Sequence, residues 1–93
     1  MLDRIQKRMR DKVRFRDYVM TLHGEEEMDE DDLTIFDVES VILTGEIFER
    51  QKDTNTAEWK YLLKGQTVTN ENAIVVAKFS PLGKLVIMTV FRP

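Results

Sequence analysis

The chain has no cysteine, two prolines, four glycines, one histidine and one tryptophan among its 93 residues. Without cysteine there is no disulfide, no thiol nucleophile and no zinc finger, so stability rests on packing and backbone hydrogen bonds, and any metal site must use histidine and carboxylates. A phosphate-binding glycine loop, a G-x-S-x-G elbow, a dinucleotide fingerprint and a CxxC pair are all missing, which excludes most cofactor enzymes; no cofactor is expected. No apolar run approaches the roughly 18 to 20 residues that span a bilayer, so no membrane association is expected. The opening MLDRIQKRMRDK is charged from its third residue and lacks the apolar stretch of a signal peptide, which makes a cytoplasmic location the expectation.

Apolar residues make up 42% of the chain and charged ones 33%, a composition that is neither disordered nor membrane-like and suits one domain over residues 1–93 with one core. The net charge of −3 conceals a strong asymmetry. Residues 1–16 hold seven basic side chains against two acidic ones, residues 17–39 hold ten acidic side chains with no lysine or arginine, and the remainder holds seven basic against five acidic. Such blocks either bind charged partners or face each other within the fold, the second being the commoner arrangement.

Leu2, Ile5, Met9 and Val13 recur at helical spacing and predict an amphipathic first helix ending near Val13, with Arg4, Arg8 and Lys12 in a column one turn apart. From Arg14 to Thr21 the composition turns to residues that favour extended backbone, so a short strand or connector is expected. Residues 23–31 predict a short helix whose glutamates repel one another. Thr34 and Asp37 resemble a capping box opening a third helix that Gly45 stops. Four strands follow: Glu46–Gln51, a segment from Trp59 to Gly65 with Trp59, Tyr61 and Leu63 on one apolar face, and the runs AIVVAKF and KLVIMTVF. The last two are almost continuously apolar, as strands covered on both faces would be, and Ser80-Pro81-Leu82-Gly83 between them predicts a hairpin. The expected class is therefore α+β, with N-terminal helices packed on a four-stranded, mainly antiparallel sheet.

On a helix that begins near His23, residues 23, 26, 27 and 30 share a face. His23, Glu26, Glu27 and Glu30 either converge on a metal ion, or supply a glutamate that orients the imidazole for acid-base work, or form a solvated helix face. Candidate nucleic-acid contacts are the Arg4, Arg8, Lys12 column, Lys60 and Lys64, and Arg92, with Trp59 and Tyr61 beside the lysines as stacking surfaces or, in the commoner case, as core. An isoelectric point near 5.1 is not that of a free-standing nucleic-acid binder. Thr89 interrupts an apolar strand, either to aim a hydroxyl at a cleft or because threonine suits strands. Exposed edge strands in so small a sheet also invite pairing into a homodimer.

The motifs Thr21-Leu22-His23, Met28, Asp37-Val38-Glu39, Gly45-Glu46-Ile47, Ala73-Ile74-Val75-Val76-Ala77 and Leu85-Val86-Ile87-Met88-Thr89-Val90-Phe91, closed by Pro93, occur in an order that resembles the domain of unknown function 4258 family over nearly the whole chain. That family is similar in size and strand order to small RNase toxins of the RelE and barnase-like class. The resemblance implies a RelE-like fold and a toxin-like RNA endonuclease paired with a small zinc-finger antitoxin of the YgiT or MqsA type. In that reading His23 is acid-base or phosphate-orienting, Thr89 and Arg92 line the same cleft, and Lys60 contacts RNA. Glu27 and Asp31 stand where the family motif has arginines, and carboxylates there would repel a phosphodiester. The alternatives are metal assistance through His23 with Glu26 or Glu27, and a non-enzymatic interaction module whose acidic helix docks a partner.

Overall fold

The structure, a computed structural model, describes residues 2–93. Helix α1 (Asp3–Arg14) buries Met9 and Val13 fully and sets Leu2 and Ile5 against the same core, as the spacing predicts. Asp3 in its first turn and Lys12 and Arg14 in its last suit the helix dipole. In α2 (Leu22–Glu30) the Thr21 hydroxyl accepts the Gly24 amide at 3.0 Å as an N-cap. Helix α3 (Ile35–Thr44) opens on the expected capping box: Thr34 Oγ1 accepts from the Asp37 amide, and Asp37 Oδ2 accepts from the Thr34 amide at 2.9 Å.

Asp37 does more than cap. Its Oδ1 accepts the Val68 amide at 3.0 Å, which ties the β3–β4 turn to the start of α3, and the residue is buried. Asp37→Ala removes the acceptor of the Thr34 and Val68 amides and is expected to cost about 1–2 kcal/mol, read as a lower urea midpoint with an unchanged slope.

The strands are β1 (Tyr18–Met20), β2 (Glu46–Lys52), β3 (Trp59–Gln66), β4 (Asn72–Phe79) and β5 (Leu85–Phe91), in the order β1-β5-β4-β3-β2. The sheet thus has five strands and is mixed, which corrects the expected four-stranded count. β2 to β5 form the antiparallel part, and β1 adds to β5 in parallel, Tyr18 opposite Leu85 and Met20 opposite Ile87. Three paired residues are too few to show alternation in sequence, so β1 was legible only as extended backbone. Between β4 and β5, Gly83 takes a positive φ of 82°, as the hairpin reading requires.

All three helices contribute to or adjoin one core. Met9 and Val13 of α1 and Val38, Val41 and Ile42 of α3 meet Tyr61, Leu63, Val75, Ala77, Leu85, Ile87 and Val90 from one sheet face. The opposite face carries Leu62, Ile74, Val76, Val86, Thr89 and Phe91 in register; Val76, at the centre of the sheet, is buried, and the other five are half-buried and outside the core cluster. The expectation that β4 and β5 are covered on both faces is therefore corrected: α1 and α3 cover one face only. No described helix is long and apolar enough to cross a membrane.

Tyr18 fastens β1 to α3 by donating its hydroxyl to Glu39 Oε2 at 2.5 Å. Burial, reinforced by the Glu39 carboxylate, holds the phenol well above its ordinary value. Because the folded state raises this pKa, the stabilisation is complete below the unfolded value of about 10 and is lost as pH rises through the folded one. Thermal melts should accordingly show a Tyr18→Phe variant that is less stable than the parent at neutral pH and that converges on it in strong alkali. A gap that stays constant with pH would remove this role.

Candidate functional site

The site is built where β1 ends. β1 stops at Met20 after pairing with Ile87, and α2 then takes over the edge of β5. The Thr21 amide donates to Ile87 O at 2.9 Å, the Thr21 hydroxyl donates to Met88 O at 2.9 Å, and Gly24 is packed so closely that a Cβ there would lie 3.0 Å from Met88 O. At the far end the Arg92 amide donates to Asp31 Oδ2 at 3.0 Å. An acidic helix therefore guards an edge that would otherwise invite another strand. β5 also carries a register shift against β4, with Ile87 opposite Ala77 but Thr89 opposite Val76, so Met88 is the extra residue of a bulge.

His23 lies at the start of α2 with 68% of its side chain exposed, and its Nε2 is 3.8 Å from Glu27 Oε1 one turn on. Thr89 is half-buried on the open sheet face, directly after the residue that accepts the Thr21 hydroxyl. The edge thus ties the N-cap of α2, two residues before His23, to the residue that precedes Thr89. Lys60 shares the open face with Thr89, two strands over, between Gln51 and Lys78, at a separation on the order of 12 Å from strand spacing and rise. Lys78 stands directly opposite Lys60 and Lys64 opposite Ile74 on the same face, and Lys78 lies 3.4 Å from Glu58 with both side chains mostly buried. On β2, Glu46 borders this face opposite Lys64 and Glu49 opposite Leu62.

Arg92 is placed elsewhere. Its Nε and Nη2 donate to the Asp31 carbonyl at 3.2 and 3.0 Å, and Nη1 donates to Glu71 Oε2 at 2.7 Å. Asp31 lies eight residues beyond His23, about 12 Å along a helical rise, so the structure does not bring Arg92 to the imidazole. Here the guanidinium closes the C-terminal end of α2, where a cation complements the dipole. At position 31 the carboxylate receives the Arg92 amide, and an arginine there would meet a second guanidinium.

Glu26 is exposed, and among the described residues no group of three or more His, Cys, Asp or Glu is arranged to hold a metal ion. Tyr61 is buried as expected, whereas Trp59 is 40% exposed, with the Arg50 guanidinium 4.4 Å and the Lys52 ammonium 5.8 Å from its ring centre. Sequence reasoning passed over Lys78. Its signal is the period of two that places it with Ile74 and Val76 on the open face.

The fold and site define a small α+β protein whose five-stranded mixed sheet is packed by helices on one face, left open on the other and guarded by an acidic helix at one edge. The chain belongs to the domain of unknown function family numbered 4258, whose model matches residues 20–92 and leaves α1 outside the match. Neither a curated protein nor a solved structure gives a match to it.

Proposed function

We propose that this chain is a toxin-like RNA endonuclease of RelE-like type, acting on single-stranded RNA laid over the open sheet face, and that its partner is a small zinc-finger antitoxin-like protein. The observation that supports this reading is the Thr21–Met88 hydrogen bond, which ties the N-cap of the helix that carries the His23–Glu27 pair to the residue before Thr89. In transphosphorylation the His23 imidazole takes the 2′-hydroxyl proton and the freed oxygen attacks the adjacent phosphorus. The 5′-oxygen leaves with a proton returned by the imidazolium, and a 2′,3′-cyclic phosphate remains. Glu27 orients the ring, the Thr89 hydroxyl donates to a phosphate oxygen, and Lys60 offsets phosphate charge. Half-buried apolar side chains on β4 and β5 offer surfaces on which bases rest.

The test is incubation of purified protein with synthetic single-stranded RNA, together with induced expression in a bacterial host while growth and total RNA are followed. Cleavage to cyclic-phosphate ends that His23→Ala abolishes supports the assignment. Intact RNA and normal growth with folded protein would overturn it, and would leave α2 as a docking helix, a role that the exposed carboxylates of Glu25, Glu26, Asp29 and Glu30 favour.

A further inference from the structure

The two charge blocks of the sequence do not neutralise each other in the fold. Among the described residues Lys12–Asp17, at 2.9 Å, is the one ion pair that joins residues 1–16 to residues 17–39. α1 keeps six basic residues against two acidic ones, and α2 has five carboxylates and no lysine or arginine. Glu25, Glu26, Asp29 and Glu30 are exposed and have no cation within ion-pair distance among the described residues.

The basic surface is grooved. A depression of about 350 Å³ along α1 and the segment after it adjoins one of about 290 Å³ that reaches the β4–β5 turn, and the two share Lys12 and Asp17. Arg8 lines the first of them, its guanidinium 4.1 Å from the Phe79 ring centre. Every carboxylate lining them already has a cation: Asp11 has Lys7 at 3.0 Å and Arg14 at 3.3 Å, and Asp17 has Lys12. Lys7 and Lys12 hold those two carboxyls below the usual range. Arg8 and Lys84 have no carboxylate within that distance among the described residues. Beside them Phe15 is 82% and Leu82 97% exposed.

We propose that this groove receives the acidic helix α2 of a second copy of the chain. Arg8 and Lys84 meet the Glu26 and Glu30 column of the incoming helix, and Phe15 and Leu82 meet Leu22 at its head, which is 70% exposed. The inference rests on the charge distribution and is independent of the ribonuclease reading. Because groove and helix are different surfaces, the contact is head to tail. Small and charge-led, it belongs to the weak, salt-sensitive class of association.

Sedimentation of the whole chain tests this at about 20 mM and about 500 mM sodium chloride, where screening is weak and strong respectively. The expected result is a mass that rises with concentration at low salt and returns to monomer at high salt. A groove variant (Arg8→Glu with Lys84→Glu) and a helix variant (Glu26→Lys with Glu30→Lys) should each stay monomeric. Their equimolar mixture should associate again, since the intact helix of the first meets the intact groove of the second and the two reversed surfaces are also complementary. Lys84→Glu alone, in an exposed turn, replaces the double change if loss of the Arg8–Phe79 stack lowers the melting temperature. A parent chain that remains monomeric at low salt, a mixture that forms no complex, or association that survives high salt would each overturn the proposal.

Discussion

Gly65→Ala is expected to destabilise the protein by about 3 kcal/mol or more, an overpacking cost at the upper end of its usual range. The C-terminal turn of α3 crosses β3 at this residue. A Cβ on Gly65 would lie 2.5 Å from Val41 O, 2.9 Å from Gly45 Cα and 3.0 Å from Gly45 N. All three are backbone atoms, so no rotamer change relieves the clash, and α3 must lift from the sheet with Val38, Val41 and Ile42 on it. Gly45 is the reciprocal half of the contact, since a Cβ there would strike Lys64 O and Val41 O. Propensity alone argues the other way, because glycine weakens a strand. The melting temperature should fall by roughly 12 °C or more, at about 4–8 °C per kcal/mol for a domain of this size. Gly24→Ala is the control: its nearest neighbours would be Met88 O at 3.0 Å, Thr21 Oγ1 at 3.2 Å and the movable Met20 Cε at 3.3 Å. Equal stability of the Gly65 variant and the parent in urea would show that the crossing is not tight.

The same glycines show what sequence can and cannot carry. Gly45 follows the last residue of α3 as expected, but its extended φ of −95° is open to any residue, and what requires glycine there is the close approach of Lys64 O. Gly65 also reads as a stop in sequence, yet β3 continues through it to Gln66, and its reason is an approach by α3 that only tertiary packing creates. The capping box, the core stripe of α1 and the β4–β5 hairpin were legible because each is local. The extended backbone of β1 was legible too, but its parallel pairing with β5 was not, since that reaches across most of the chain. An uninterrupted apolar run does not say how many of its faces are covered, so β4 and β5 read as doubly buried although one face lies open. At the site, the placement of Thr89 and Lys60 on one face follows from strand parity once the register is known. Arg92 was beyond sequence, because its carbonyl partner belongs to a residue 61 positions earlier.

Arg92→Ala and His23→Ala are expected to fail in opposite ways. With 68% of its side chain exposed and Glu27 at 3.8 Å as its charged neighbour, His23 contributes little to folding, and its removal should leave stability within about 0.5 kcal/mol. If the imidazole moves the proton, RNA cleavage should fall by about 10²- to 10⁴-fold, the usual contribution of a positioned acid-base group. Arg92 has the reverse profile. Its guanidinium donates to the Asp31 carbonyl from Nε and Nη2 and to Glu71 from Nη1, so alanine frees the C-terminal end of α2 from β5. The arginine side chain is 37% exposed, so solvent offsets part of the loss, and about 1–2 kcal/mol is expected. The Arg92 amide still reaches Asp31 Oδ2, which keeps the strand end in place. Activity of Arg92→Ala should then track its folded fraction and recover on cooling, whereas that of His23→Ala should not recover at any temperature. Arg92→Lys should fall between Arg92→Ala and the parent in stability, because an ammonium keeps the charge but cannot hold Asp31 and Glu71 in one planar fork. A stable Arg92→Ala variant without activity would return the guanidinium to the RNA and make its place at the end of α2 incidental.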